Sequence, residues 1–96
     1  MKNFRLVVTR IDAFGRVLVV PFAETLDFKI RRVFKDCDFV ALLERLGMDS
    51  DEARLTLERS HPAPRSFELR LALSEEQSKC LCSYFPQLVA APCSVA

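Results

Sequence analysis

Residues 53–60 read Ala-Arg-Leu-Thr-Leu-Glu-Arg-Ser, 61–64 His-Pro-Ala-Pro, 65–73 Arg-Ser-Phe-Glu-Leu-Arg-Leu-Ala-Leu, and 74–85 Ser-Glu-Glu-Gln-Ser-Lys-Cys-Leu-Cys-Ser-Tyr-Phe. The first and third segments alternate. Leu55 and Leu57 fall on one face, against Arg54, Thr56 and Glu58. Phe67, Leu69, Leu71 and Leu73 fall on one face, against Ser66, Glu68, Arg70 and Ala72. Period two with one apolar face marks an antiparallel strand that covers a core on one side. The pattern predicts two strands that share that face, so the numbers of paired residues sum to an even value. Pro62 and Pro64 cannot donate ladder hydrogen bonds, which places them in the turn between the strands. In the last segment Ser74 is an N-cap and Gln77 completes a capping box. Glu75 and Glu76 put negative charge at the positive helix end. Gln77, Cys80, Leu81, Tyr84, Phe85 and Leu88 continue as a stripe at helical spacing, which Pro86 interrupts.

Upstream, residues 4–11 and 16–22 are rich in β-branched residues and form a predicted hairpin. Asp12-Ala13-Phe14-Gly15 suits a type I turn, with Asp first and Gly fourth. Both strands are apolar on both faces near their middles, so the hairpin is central in its sheet or covered on its second face. Pro21 sets the end of the second strand at an edge. Leu26, Phe28 and Ile30 alternate with Asp27, Lys29 and Arg31, which predicts a third strand over 26–34, with a bulge or strand end at Arg31-Arg32. Helix is the competing reading of that stretch. Asp36 or Asp38 caps the next element, where Phe39, Leu42, Leu43 and Leu46 recur at i, i+3, i+4, i+7 and Gly47 stops the helix. Residues 48–52 are an acidic connector with room for a helical turn.

The predicted order is β-β-β-α-β-β-α. It describes an α+β domain: an antiparallel sheet of about five strands with two helices packed on one face. One domain covers 1–86, and 87–96 is a short apolar tail. The chain has 96 residues, half of them hydrophobic and 28% charged, which suits one globular core. No window approaches the ~18 apolar residues of a membrane span. The apolar run after residue 5 is too short for a signal peptide. The four cysteines then read as reduced thiols in a cytoplasmic protein.

No catalytic residue, metal ligand set or cofactor motif is nominated. His61, the single histidine, sits in a proline turn with no adjacent carboxylate and reads as solvated. Cys80 and Cys82 point about 200° apart on a helix, so both thiolates cannot easily hold one metal. A metal site that brings in Cys93, Cys37 or His61 is the weakest alternative. The terminal Cys93-Ser94-Val95-Ala96 has the outline of a prenylation signal, but Ser94 is not aliphatic and no basic run precedes it. Net charge is +1, short of the basic excess that nucleic-acid binders carry. Nucleic-acid binding through the arginine-bearing strands is the runner-up function.

The leading expectation is a non-enzymatic module that binds another protein, as an accessory, regulatory or inhibitor protein. Aromatic plus arginine is the composition of interface hot spots, and Phe14 stands at a hairpin tip between Arg10 and Arg16. The nominated binding residues are Phe14, Arg10, Arg16, Arg31 and Arg32. Sheet edges also permit a homodimer or a sheet-augmenting partner.

Overall fold

The computed structural model describes residues 1–22 and 30–85. The chain folds as β1 (Lys2–Arg10), β2 (Arg16–Phe22), β3 (Arg32–Lys35), α1 (Asp36–Arg45), α2 (Ser50–Glu58), β4 (Arg65–Leu73) and α3 (Glu75–Tyr84). The α+β class with an antiparallel sheet is as the sequence predicts. Among the described residues the sheet has four strands, in the order β3-β2-β1-β4, and there are three helices.

The strand expected over 53–58 is the main correction. Ser50–Glu58 is helix α2, and Leu55 is 68% exposed. The Asp49 carboxylate caps the helix by accepting from Glu52 N (2.8 Å). The buried side of α2 is Ala53 and Thr56, with Leu57 half-buried, and Ser60 just beyond the helix continues it. These positions recur at i, i+3, i+4, i+7, but with small residues that a hydrophobic pattern does not register. Small side chains let α2 lie against α1, and the Thr56 hydroxyl donates back to Glu52 O (2.8 Å). Leu55 and Leu57 therefore have no ladder partners. Pro62 and Pro64, both preceded by cis peptide bonds, lie in the α2–β4 connector instead of a hairpin turn.

β4 pairs with β1, from Lys2↔Leu73 through Leu6↔Leu69 to Arg10↔Arg65. This places the predicted hairpin centrally, with β3 outside β2. Phe4, Leu6 and Val8 of β1 share a face with Val17 and Val19 of β2, Phe34 of β3, and Phe67, Leu69, Leu71 and Leu73 of β4. Phe39, Leu42 and Leu43 of α1 and Leu81 of α3 are fully buried within the same core cluster. Each such side chain contributes about 1.5–3 kcal/mol relative to an exposed one. On the opposite face Val7, Leu18, Val20, Phe22 and Val33 form an apolar strip by register.

Residues 26–29 of the strand expected over 26–34 lie outside the described residues, as does the 87–96 tail. The described strand starts at Arg32, where an end was expected, and runs on to Lys35. Pro21 lies beyond Val19↔Arg32, the last β2–β3 pair, so its missing N–H costs no ladder bond there.

α1 begins at Asp36 with Lys35 at the N-cap position and no side-chain cap, so neither predicted aspartate caps it. Its end is as predicted. Gly47 has φ +102°, its N–H donates to Glu44 O (3.1 Å), and Met48 N donates to Leu43 O (3.1 Å). That pair of bonds is the Schellman arrangement. A Cβ on Gly47 would also stand 2.8 Å from Gln77 Nε2. Gln77 is fixed there by the α3 capping box, in which Gln77 N donates to Ser74 Oγ (3.2 Å) and Ser74 N to Gln77 Oε1 (2.9 Å). One glycine thus serves the end of α1 and the start of α3. Gly47→Ala is expected to lower unfolding stability by more than about 1 kcal/mol, read from the midpoint of urea denaturation.

Candidate interaction surface

The nominated residues do not share one environment. Arg10 ends β1 on the core face and is 1% exposed. Its Nη1 donates to Asp36 Oδ1 (2.8 Å), and its Nε and Nη2 donate to Ser60 Oγ (3.2 and 2.9 Å). Nη2 also lies 3.1 Å from His61 Nε2. The Ser60 hydroxyl donates onward to Leu57 O (2.6 Å). Arg10 therefore offers no surface to a partner; it joins the end of β1, the start of α1 and the α2–β4 connector. His61, read from sequence as a solvated turn residue, is exposed yet lies against this guanidinium.

The Asp36 side chain is 33% exposed, so water can still solvate it, whereas Arg10 is sealed. Removing the acid leaves a buried charge without its counter-ion, a loss of about 3–5 kcal/mol. Removing the base while filling its volume leaves a carboxylate that water reaches. Asp36→Ala is accordingly expected to destabilise the fold more than Arg10→Met, with denaturant unfolding of both variants and their double mutant as the measurement.

The hairpin tip is built by Asp12. Its Oδ1 accepts from Phe14 N (2.8 Å), and its Oδ2 accepts from Arg16 Nε (2.8 Å) and Nη2. Gly15 closes the turn at φ +83°, and its carbonyl accepts from Asp36 N (2.8 Å) at the start of α1. A loop held at both ends carries Phe14, 89% exposed. The Arg16 hydrogen bond holds the Asp12 carboxyl below its ordinary range. A depressed acid contributes stability above its unfolded pKa that is lost as pH falls through the folded value. Arg16→Ala is expected to raise the Asp12 midpoint towards the ordinary aspartate range in an NMR carboxyl titration and to flatten the acid-side dependence of turn order.

Arg31 and Arg32 are exposed at the start of β3. The Arg32 guanidinium lies 5.2 Å from the Tyr84 ring centroid and 5.5 Å from that of Phe34, with Nη1 3.4 Å from Tyr84 O. Arg45, in the last turn of α1, donates to Tyr84 Oη (3.1 Å). Sequence reading missed Arg45 and Tyr84, because α1 and α3 carry them to β3 only in the folded chain.

Two closing hydrogen bonds set the phase of the ladders. Ile11 N donates to Arg16 O (3.1 Å), and Asp36 N to Gly15 O (2.8 Å). Backbone groups of successive residues in an antiparallel sheet turn alternately to either side. β2 therefore turns Val17 and Val19 towards Phe34 and Arg32 of β3, in line with the observed register. The N–H and C=O of Val33 and the N–H of Lys35 are directed to the outer edge. Among the described residues no strand pairs with that edge.

Among the described residues no three His, Cys, Asp or Glu side chains converge as metal ligands would. Cys37 is exposed, and Cys80 and Cys82 are half-buried; Cys93 and the terminal motif lie outside the described residues. No family model, curated protein or solved structure matches this chain.

Proposed function

We propose that this chain is a small, non-enzymatic module that binds another protein through the β1–β2 hairpin tip and the neighbouring β3 edge. One observation carries the reading: Phe14 is 89% exposed on a turn that Asp12, Arg16 and the start of α1 hold in place. A large apolar ring in water is unfavourable, and a fixed one loses little conformational freedom on docking. Interface hot spots combine aromatic and arginine side chains in this way. Arg16 and Arg32, with Arg31 beside it, frame the surface; Arg10 supports it from within. The module is inferred to act in the cytoplasm, where the free thiols Cys37, Cys80 and Cys82 suit a reducing compartment. No described helix is long and apolar enough to cross a membrane.

The test is affinity capture from the native cell with wild-type and Phe14→Ala baits. Since Phe14 is exposed, the variant is expected to melt within about 0.5 kcal/mol of wild type. A partner identified by mass spectrometry is expected to bind wild type and to weaken by about tenfold or more against Phe14→Ala, as for a hot-spot truncation. Partners that all bind Phe14→Ala at full strength would remove the tip from the binding surface.

A further inference from the structure

The cations of the described residues differ in whether a carboxylate neutralises them. Arg5, Arg10, Arg16 and Arg70 each have a carboxylate within 4.0 Å. Lys2, Arg32, Lys35, Arg45, Arg54, Arg59, Arg65 and Lys79 have none among the described residues, and of these Arg32, Lys35 and Arg45 border β3. Arg32 and Arg45 flank Tyr84 on the helix-covered side, while Lys35 lies on the other side, opposite Arg16. Asp38 shares a side of α1 with Arg45 but stands two turns away, about 10 Å. Beside these cations the Val33 N–H and C=O and the Lys35 N–H face outwards, and the Val33 side chain is 49% exposed. An edge of this kind accepts an added strand, because main-chain hydrogen bonds supply affinity irrespective of sequence and flanking side chains select the sequence.

We propose that the β3 edge takes a short acidic segment of a partner protein as an additional antiparallel strand, with its carboxylates on Arg32 and Arg45 and its backbone on Val33 and Lys35. This rests on the protein-binding reading and names the chemistry of the partner. A second copy of the chain is a poorer occupant. In a two-fold antiparallel pairing of β3 with itself, Val33 or Phe34 meets its own copy, and Arg32 and Lys35 of both chains crowd one seam. Like charges at such a seam are destabilising, whereas a carboxylate forms charge-assisted, forked bonds with arginine.

The test uses isotope-labelled protein and two short peptides, one alternating glutamate with valine and the other lysine with valine. The glutamate peptide is expected to shift the Val33 and Lys35 amide resonances and to bind more weakly as salt rises. Val33→Pro removes an outward N–H without breaking a bond to β2, so the fold is retained while binding falls by about tenfold or more. Val33→Thr keeps the N–H and the binding. Arg32→Glu is expected to lose binding to a similar degree. Undisturbed β3 amides, unchanged affinity in Val33→Pro, or equal binding of the lysine peptide would each overturn the proposal. So would a concentration-dependent dimer that Val33→Pro dissolves, since a second copy would then occupy the edge. The two readings fail separately. A native partner lost by Phe14→Ala but indifferent to Val33→Pro leaves the tip and removes the edge; the reverse pattern leaves the edge and removes the tip.

Discussion

The fold depends on one buried charge. Arg10 closes the core face of β1, and its guanidinium is satisfied by Asp36, Ser60 and His61. These groups come from the start of α1 and from the connector that ends α2, so the arginine sets where both helices sit relative to the sheet. An isolated guanidinium in a low-dielectric interior is costly. Its three partners lie on separate elements, which ties strand, helix and loop together. The same Asp36 also donates its backbone N–H to Gly15 O. The hairpin tip is thereby tied to the residue that neutralises the buried arginine.

That coupling explains why a solvent-exposed phenylalanine is held in a defined place. Phe14 is two residues from Asp12, whose carboxylate accepts from both the Phe14 backbone and Arg16. The tip is held by the hydrogen bonds that Asp12 and Gly15 accept, and the Phe14 ring is what remains exposed. The β3 edge follows a related logic. The strand is short, its inward groups serve β2, its outward backbone groups are left over, and Arg32 on it meets Tyr84 but no carboxylate among the described residues. Residues with no internal task are those a partner can use.

Local signals were legible where neighbours in sequence decide the outcome. The β1–β2 hairpin, strand β4, the capping box of α3 and the glycine stop of α1 all rest on contacts within a few residues, and each formed where its pattern placed it. The failure at residues 53–58 has a physical cause. Leu55 and Leu57 alternate as in a strand, yet Asp49 caps a helix, and the buried side is the small pair Ala53 and Thr56, continued by Ser60 just beyond the helix. Period-two leucines outweighed a helical stripe whose members are too small to register as hydrophobic. At the candidate surface, Phe14, Arg16 and Arg32 could be chosen from sequence because an aromatic or arginine beside a turn or strand end has little core to enter. Arg10 was indistinguishable from them, since its burial depends on partners 26 and more residues away.

The sequence by itself determined the α+β class, the central hairpin with its turn, and the capped closing helix, because helix caps, turn glycines and alternating faces act over a few residues. Only the tertiary structure decided that 53–58 is helical, that β4 pairs with β1, that Arg10 is interior, and that Arg45 and Tyr84 stand beside Arg32. Those outcomes turn on how much surface each arrangement buries and whether each buried polar group finds a partner, and both quantities belong to the whole chain.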